Sequence, residues 1–182
     1  MKSGSYTVLG ADLSLNRPGF AIVVVENGIV KSVETCSVDN KKKSAGKLRG
    51  QILTEIAQLL FSLILRVKLG ENWILVRESS INNACFGKRS GTAARTGISG
   101  VVGVTDYIAW KEEKSWEEIY PVSIKKAVTG NARASKEEVA EALRAYVGQV
   151  EFANDDESDA AAVAIAWLLR NHIIESVGEK AA

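Results

Sequence analysis

Phe20-Ala21-Ile22-Val23-Val24-Val25-Glu26-Asn27-Gly28-Ile29-Val30-Lys31-Ser32-Val33-Glu34-Thr35-Cys36-Ser37 is an apolar run, a turn and an alternating run. Asn27-Gly28 is a hairpin signal, because both residues accept the positive φ that a tight two-residue turn needs. The second arm alternates Ile29, Lys31, Val33 and Thr35 against Val30, Ser32, Glu34 and Cys36, the pattern of a strand near a sheet edge. Upstream, Ser5 to Leu13 reads as another strand. The chain therefore opens with a three-stranded antiparallel meander.

Downstream the period changes. Ala45 to Leu69 places Leu48, Ile52, Ile56, Leu59 and Leu63 at helical spacing, and Gly70 is a good stop. Trp73 to Arg77 is a short continuous apolar strand of the kind buried in a parallel sheet. Ser79 to Arg95 is a polar loop leading into a helix over Thr96–Lys111. Gly97, Gly100 and Gly103 weaken that helix; they mark either a close helix–helix or dimer contact or a locally irregular helix. Glu118 to Val122 reads as a strand and Ser123 to Val128 as a short helix. Ser135-Lys136-Glu137-Glu138 is a capping box opening a helix to Val147. An acidic loop, Glu151 to Glu157, precedes a last helix over Ser158–Ile174. The order predicts an α/β fold with a mixed five-stranded sheet, three antiparallel strands followed by βα units, flanked by helices. Repeats and linkers are absent from the pattern, so residues 1–182 read as one domain. A right-handed crossover makes the first and fourth strands neighbours.

Composition is that of an ordinary globular chain, 46% hydrophobic and 25% charged, with net charge +1. Nucleic-acid binding would need local asymmetry, and it exists. Asp39 to Gly50 carries Lys41, Lys42, Lys43, Lys47 and Arg49 against one acid, whereas Glu151 to Asp159 carries five acids and no base. Cys36 and Cys85 have no metal-site spacing and suit a reducing compartment, though one disulfide stays open. No signal-peptide h-region is present near Met1, and Ile52–Leu69 is too interrupted by polar residues for a membrane span. The expectation is a cytoplasmic protein with no membrane partner.

Four carboxylates stand at the ends of apolar elements. Asp12 closes Tyr6–Ala11, Glu78 closes Trp73–Arg77, and Asp156 and Asp159 open the Ala-rich helix. Burying such groups is costly unless a cation compensates. At i,i+3 on a helix, Asp156 and Asp159 face one point. Oxygen ligands from three elements suit hard divalent ions such as Mg²⁺. Two such ions about 3.5–4 Å apart can activate a water and relieve charge on a leaving oxygen in phosphodiester hydrolysis. Taken singly, Asp12 could be a turn acid, Glu78 could pair with Arg77 or Arg95, and Asp155, Asp156 or Ser158 could cap the last helix. Asp155 and Asp159, at i,i+4, are an alternative pair.

The ordered set Leu9-Gly10-Ala11-Asp12, Pro18-Gly19-Phe20-Ala21-Ile22, Val76-Arg77-Glu78, Ile124-Lys125-Lys126-Ala127-Val128-Thr129-Gly130, Ala134–Val139 and Asp156-Glu157-Ser158-Asp159 through Ala166 resembles the RuvC-type Holliday-junction resolvases, of the ribonuclease-H-like fold. Departures are Gly10-Ala11-Asp12-Leu13-Ser14, where the family has Gly-Ile-Asp-Pro-Gly, and Ser79-Ser80, where an aromatic residue would follow soon after Glu78. A divergent or phage-type member would show such departures.

The resemblance implies that Asp12, Glu78, Asp156 and Asp159 hold two Mg²⁺ per site, with Mn²⁺ as a substitute. Lys125 and Lys136 match basic positions near the scissile phosphate. Lys136 also sits in a first helical turn, which disfavours a cation and so points to a use. Lys88, Arg89 and Arg95 follow Glu78 and are DNA-binding candidates, as are Lys126 and Arg133. Phe86 could stack on an unpaired base or pack in the core. The expected activity is symmetric nicking of four-way junctions by a homodimer, in DNA recombination and repair. Other readings are a less selective branched-DNA, flap or RNA–DNA hybrid nuclease, a silent junction-binding protein, and an actin-like ATPase, for which the chain is too short.

Overall fold

The structure, a computed structural model, describes residues 4–40, 47–70, 72–79 and 92–176, with only the backbone of 92–95. Its elements are β1 (Ser5–Asp12), β2 (Gly19–Glu26), β3 (Ile29–Ser37), α1 (Arg49–Val67), β4 (Trp73–Glu78), α2 (Thr92–Lys111), β5 (Trp116–Ile119), α3 (Pro121–Thr129), α4 (Lys136–Val147) and α5 (Asp155–Arg170). Asn27 and Gly28 adopt the positive φ values, 49° and 80°, that the hairpin requires.

The sheet order is β3-β2-β1-β4-β5. β1 pairs antiparallel with β2 and parallel with β4, and β4 pairs parallel with β5. The β1–β4 register ends with Ala11 beside Arg77, so the next residues along, Asp12 and Glu78, sit together at the strand ends. Alternation along the strands then sets their direction. Val8, Val76, Ala21 and Val23 face α3, α4 and α5, while Leu9, Ala11, Leu75 and Phe20 face α1 and α2. Asp12 and Glu78 share the parity of Val8 and Val76 and therefore face α5.

α5 is Ala-rich because it lies almost on the sheet. A Cβ on Gly10 would fall 2.4 Å from the Ala160 carbonyl oxygen, and one on Gly19 would fall 2.0 Å from that of Asp156. Only glycine permits this approach.

Several expectations shift, among them the start of α2, at Thr92 rather than Thr96, and the end of α5, at Arg170 rather than Ile174. β5 is Trp116–Ile119 rather than Glu118–Val122, because Pro121 lacks a ladder N–H and instead occupies the first turn of α3. α5 begins at Asp155 rather than Ser158, because Asn154 accepts the Glu157 N–H and caps it. The three glycines of α2 do not form one contact face. Gly97 lies against Leu15 and Gly100 against Leu53 of α1, but Gly103 meets nothing within 4 Å among the described residues. The helix–helix reading holds for Gly100 alone.

α1 is long and apolar enough to cross a membrane by length and composition. Here Ile52, Ile56, Leu60, Leu63, Ile64 and Val67 form the core under the sheet. Arg77 is a buried cation on this side: its guanidinium donates to Glu118 at 2.7 and 3.0 Å, pairs with Asp106 at 2.5 Å, and lies over the Trp116 ring. It is thus committed away from Glu78, against one of the pairings open in the sequence.

Candidate active site

Asp12, Glu78 and Asp159 line one cleft of about 300 Å³ together with Lys125 and Lys136. β1 and β4 carry the first two at adjoining ends, and the first turns of α5 bring Asp159 over them. Asp156 is not in the lining. It is turned toward the β1–β2 loop, where Arg17 reaches it at 3.5 Å and Asp39 at 2.9 Å. Its charge still acts on Asp12, and that of Asp155 acts on Lys136.

Two carboxyls in the cleft are perturbed. Asp12 is pushed up to about 6, first by burial and then by repulsion from Asp159 and Asp156, with Lys136 opposing. Glu78 is pushed up to about 7, first by burial and then by Asp12 and Asp159, with Lys136 and Lys125 opposing. Lys136 pairs with Asp159, and this bond raises the lysine further. Lys125 donates to the Ala134 carbonyl oxygen at 2.6 Å. Its ammonium therefore ties α3 to the loop before α4.

Among the described residues, no three His, Cys, Asp or Glu side chains are gathered into a ready coordination group. Two of the acids have protein cations as partners instead: Lys136 pairs with Asp159 and Arg17 with Asp156. The donor set nevertheless fits a hard divalent ion. It is all oxygen, and the mutual repulsion of Asp12, Glu78 and Asp159 is what a cation between them would relieve.

Lys126 is the sequence-derived candidate that the fold moves elsewhere. It lies on the opposite side of α3, lining a separate cavity with Ser123, Arg170 and His172 that contains none of the four acids. Helical spacing explains this, since neighbouring residues point about 100° apart. Arg133 is exposed in the loop before α4, its N–H donating to Asn131. Phe86, Lys88 and Arg89 lie outside the described residues, as do Lys41, Lys42, Lys43, Cys85 and the side chain of Arg95.

Two residues near the cleft carried no sequence signal. Arg17 sits in an unremarkable loop, and only its position five residues beyond Asp12 hints at it. Glu157 reads as one more acid of the loop, yet it is 6% exposed.

The shifts set a pH dependence. Glu78 has an ordinary value of 4.5 when unfolded and about 7 when folded. Its ionisation is thus harder in the fold, and its contribution to stability falls as pH rises from 4.5 to 7, then stays low. In chelator, Glu78→Gln is expected to gain melting temperature over wild type progressively from pH 5 to pH 7 and no further above it. Thermal melts at each pH check this; parallel curves would contradict the assignment.

The family profile of crossover junction endodeoxyribonuclease RuvC matches residues 8–167. The chain is 30% identical over 159 residues to the RuvC of Treponema denticola, covering 87% of this chain and 83% of that one. It is 28% identical over 163 residues to that of Rickettsia bellii, covering 89% and 96%. Among solved structures, Thermus thermophilus RuvC in complex with a Holliday junction substrate superposes with TM-score 0.73 at 18% identity, covering 92% and 95%. The yeast mitochondrial Holliday junction resolvase superposes with TM-score 0.60 at 13% identity, covering 91% and 79%. At such identities these structures establish the fold, which is the expected one.

Proposed function

Because this chain belongs to the crossover junction endodeoxyribonuclease RuvC family, we propose that it resolves four-way DNA junctions by hydrolysing phosphodiester bonds at the cleft of Asp12, Glu78 and Asp159. The observation that carries this is the meeting of those three acids with Lys125 and Lys136 around one opening. Asp12, at the centre of the mutual repulsion, would hold two Mg²⁺ together with Glu78, Asp159 and Asp156. When bound, the ions supply an activated water and relieve charge on the leaving oxygen. Lys136 then exchanges Asp159 for the scissile phosphate. Lys125 orients the loop that carries Lys136 into the cleft. Arg17, released from Asp156, is a further cation at the cleft rim for the DNA backbone. The protein acts in the compartment that holds its DNA.

Two strands must be cut, so one cleft per chain calls for two chains. On the face of the sheet remote from the cleft, α1 and α2 expose large apolar side chains: Phe61 (47%), Leu65 (41%), Tyr107 (59%) and Trp110 (69%). Side chains of this size are seldom left in water without a partner. A second copy of the chain on this face makes the homodimer.

The test is an end-labelled synthetic four-way junction with Mg²⁺ beside a linear duplex. Paired symmetric nicks with 5′-phosphate ends on the junction alone are expected. Equal cutting of both would indicate a general nuclease, and binding without cutting a silent junction binder. Light scattering should give a dimer for wild type and a monomer for Trp110→Glu, the monomer losing paired nicking. A monomeric wild type would overturn the dimer.

A further inference from the structure

The buried carboxylate of Glu157 belongs neither to the acids lining the cleft nor to the apolar core. It stands one residue after Asp156 and two before Asp159, on the side of α5 that faces the sheet. Thr35 donates to its Oε2 at 2.7 Å and Ser37 to its Oε1 at 2.9 Å, both from one face of β3. The Ala153 N–H donates to Oε2 at 3.2 Å. The helix cap joins the same network: Asn154 accepts the Glu157 N–H at 3.2 Å and donates through Nδ2 to Ser37 at 2.8 Å. A buried carboxylate is expensive where alanine would pack. Ala160, Ala161 and Ala164 show that this helix takes alanine elsewhere in its buried surface. The expense is offset by charge-assisted hydrogen bonds that tie the helix to the edge strand β3.

The first turn of α5 is thus held at two points. Its backbone rests directly on Gly19 of β2, where a Cβ would be 2.0 Å from the Asp156 carbonyl oxygen. Its side chain is tied to the edge strand β3. A bearing contact alone lets a helix end pivot, and a second attachment fixes its rotation. Because Asp156 and Asp159 branch from the same turn, their direction toward Asp12 follows from that rotation.

We propose that Glu157 is a positioning residue, a tether through Thr35 and Ser37 that fixes the turn of α5 from which Asp159 enters the cleft and Asp156 stands at its edge. This rests on the reading of the cleft as the metal-dependent nuclease site. Outer residues that orient metal ligands typically matter roughly 10- to 100-fold.

The test compares Glu157→Ala and Glu157→Gln with wild type. Mn²⁺ affinity is measured from the free-ion signal in electron paramagnetic resonance, without DNA. The Mg²⁺ dependence of single-turnover junction cleavage is measured beside it, with junction affinity in Ca²⁺ as reference. Glu157→Ala is expected to bind Mn²⁺ about 10- to 100-fold more weakly and to need correspondingly more Mg²⁺, with junction affinity unchanged. Glu157→Gln keeps an acceptor and a donor for the two hydroxyls and should recover most of the loss. Wild-type Mn²⁺ affinity in Glu157→Ala overturns the tether, as does a Gln variant no better than Ala. If Glu157→Ala does not fold, Ser37→Ala, which removes one hydroxyl and leaves the carboxylate, is judged by the same Mn²⁺ measurement: weaker binding supports the tether and unchanged binding overturns it. Asp12→Asn separates the two layers. Equal Mn²⁺ binding by wild type and Asp12→Asn would sink the metal site itself, and the tether with it.

Discussion

Asp12→Asn is expected to abolish junction cleavage while leaving junction binding intact. Asn keeps the shape and one oxygen but cannot supply an anionic bridge between two ions. Losing metal-derived stabilisation of several kcal/mol, about 4 kcal/mol here, slows the reaction about 10³-fold or more. The second consequence runs the other way. The Asp12 carboxyl is pushed up to about 6 by burial and by its acidic neighbours, so at pH 8 its charge destabilises the metal-free fold. In chelator the inactive variant should therefore melt higher than wild type, and added Mg²⁺ should narrow the gap by stabilising wild type alone. Cleavage of the labelled junction, mobility shift in Ca²⁺ and melts with and without Mg²⁺ check all three. A variant that cuts within tenfold of wild type would remove Asp12 from the chemistry.

That a variant can lose activity and gain stability follows from how the cleft is built. Its acids are grouped at the ends of β1 and β4, beneath a helix that opens with three more acids. The repulsion is partly met inside the protein, by Lys136 on Asp159 and Arg17 on Asp156. In the proposed metal-dependent site these protein cations would give way to metal ions. Lys136 would be half of that exchange, which would give its unfavourable position at the start of α4 a physical reason.

Much of this was legible along the chain, for identifiable reasons. The hairpin at Asn27-Gly28, the apolar run of β4 and the change from strand to helical period fix the meander and the βα units by local chemistry. The parity of Asp12 with Val8, and of Glu78 with Val76, then puts both acids on one face. Boundaries failed where one residue overrode the pattern, at Pro121 and at the Asn154 cap. Lys126 stands apart from Lys125 because adjacent helical residues point about 100° apart, which two lysines side by side in the sequence do not show. Arg17 and Glu157 were illegible for a different reason. Their partners are distant, with Glu157 meeting Thr35 across 122 residues, and no local pattern marks a pairing that exists only after α5 has docked. The polar pattern extends to Arg95, whereas α2 already starts at Thr92.

The docking of α5 is itself the most sensitive mechanical element, and Gly19→Ala tests it. The added methyl would lie 2.0 Å from the Asp156 carbonyl oxygen and 3.2 Å from its Cβ. Backbone cannot yield as a flexible side chain would, so the helix must rise by about 1 Å or more before ordinary contact is restored. Gly19 has no positive φ, so alanine meets no conformational strain there and the whole effect is the collision. Overpacking of this kind costs about 1–3 kcal/mol of stability, and the fold should survive. A shift of about 1 Å at reacting groups costs about 10²-fold in rate. The expected result is a folded protein that binds the junction and cuts it about 10²-fold more slowly. Gly50→Ala, near the start of α1, is the control. Among the described residues nothing lies within 4 Å of a Cβ there, and replacing a helical glycine should add about 0.5–1 kcal/mol of stability with full activity. Should Gly19→Ala cut as fast as wild type, the height of α5 over β2 would not govern the site.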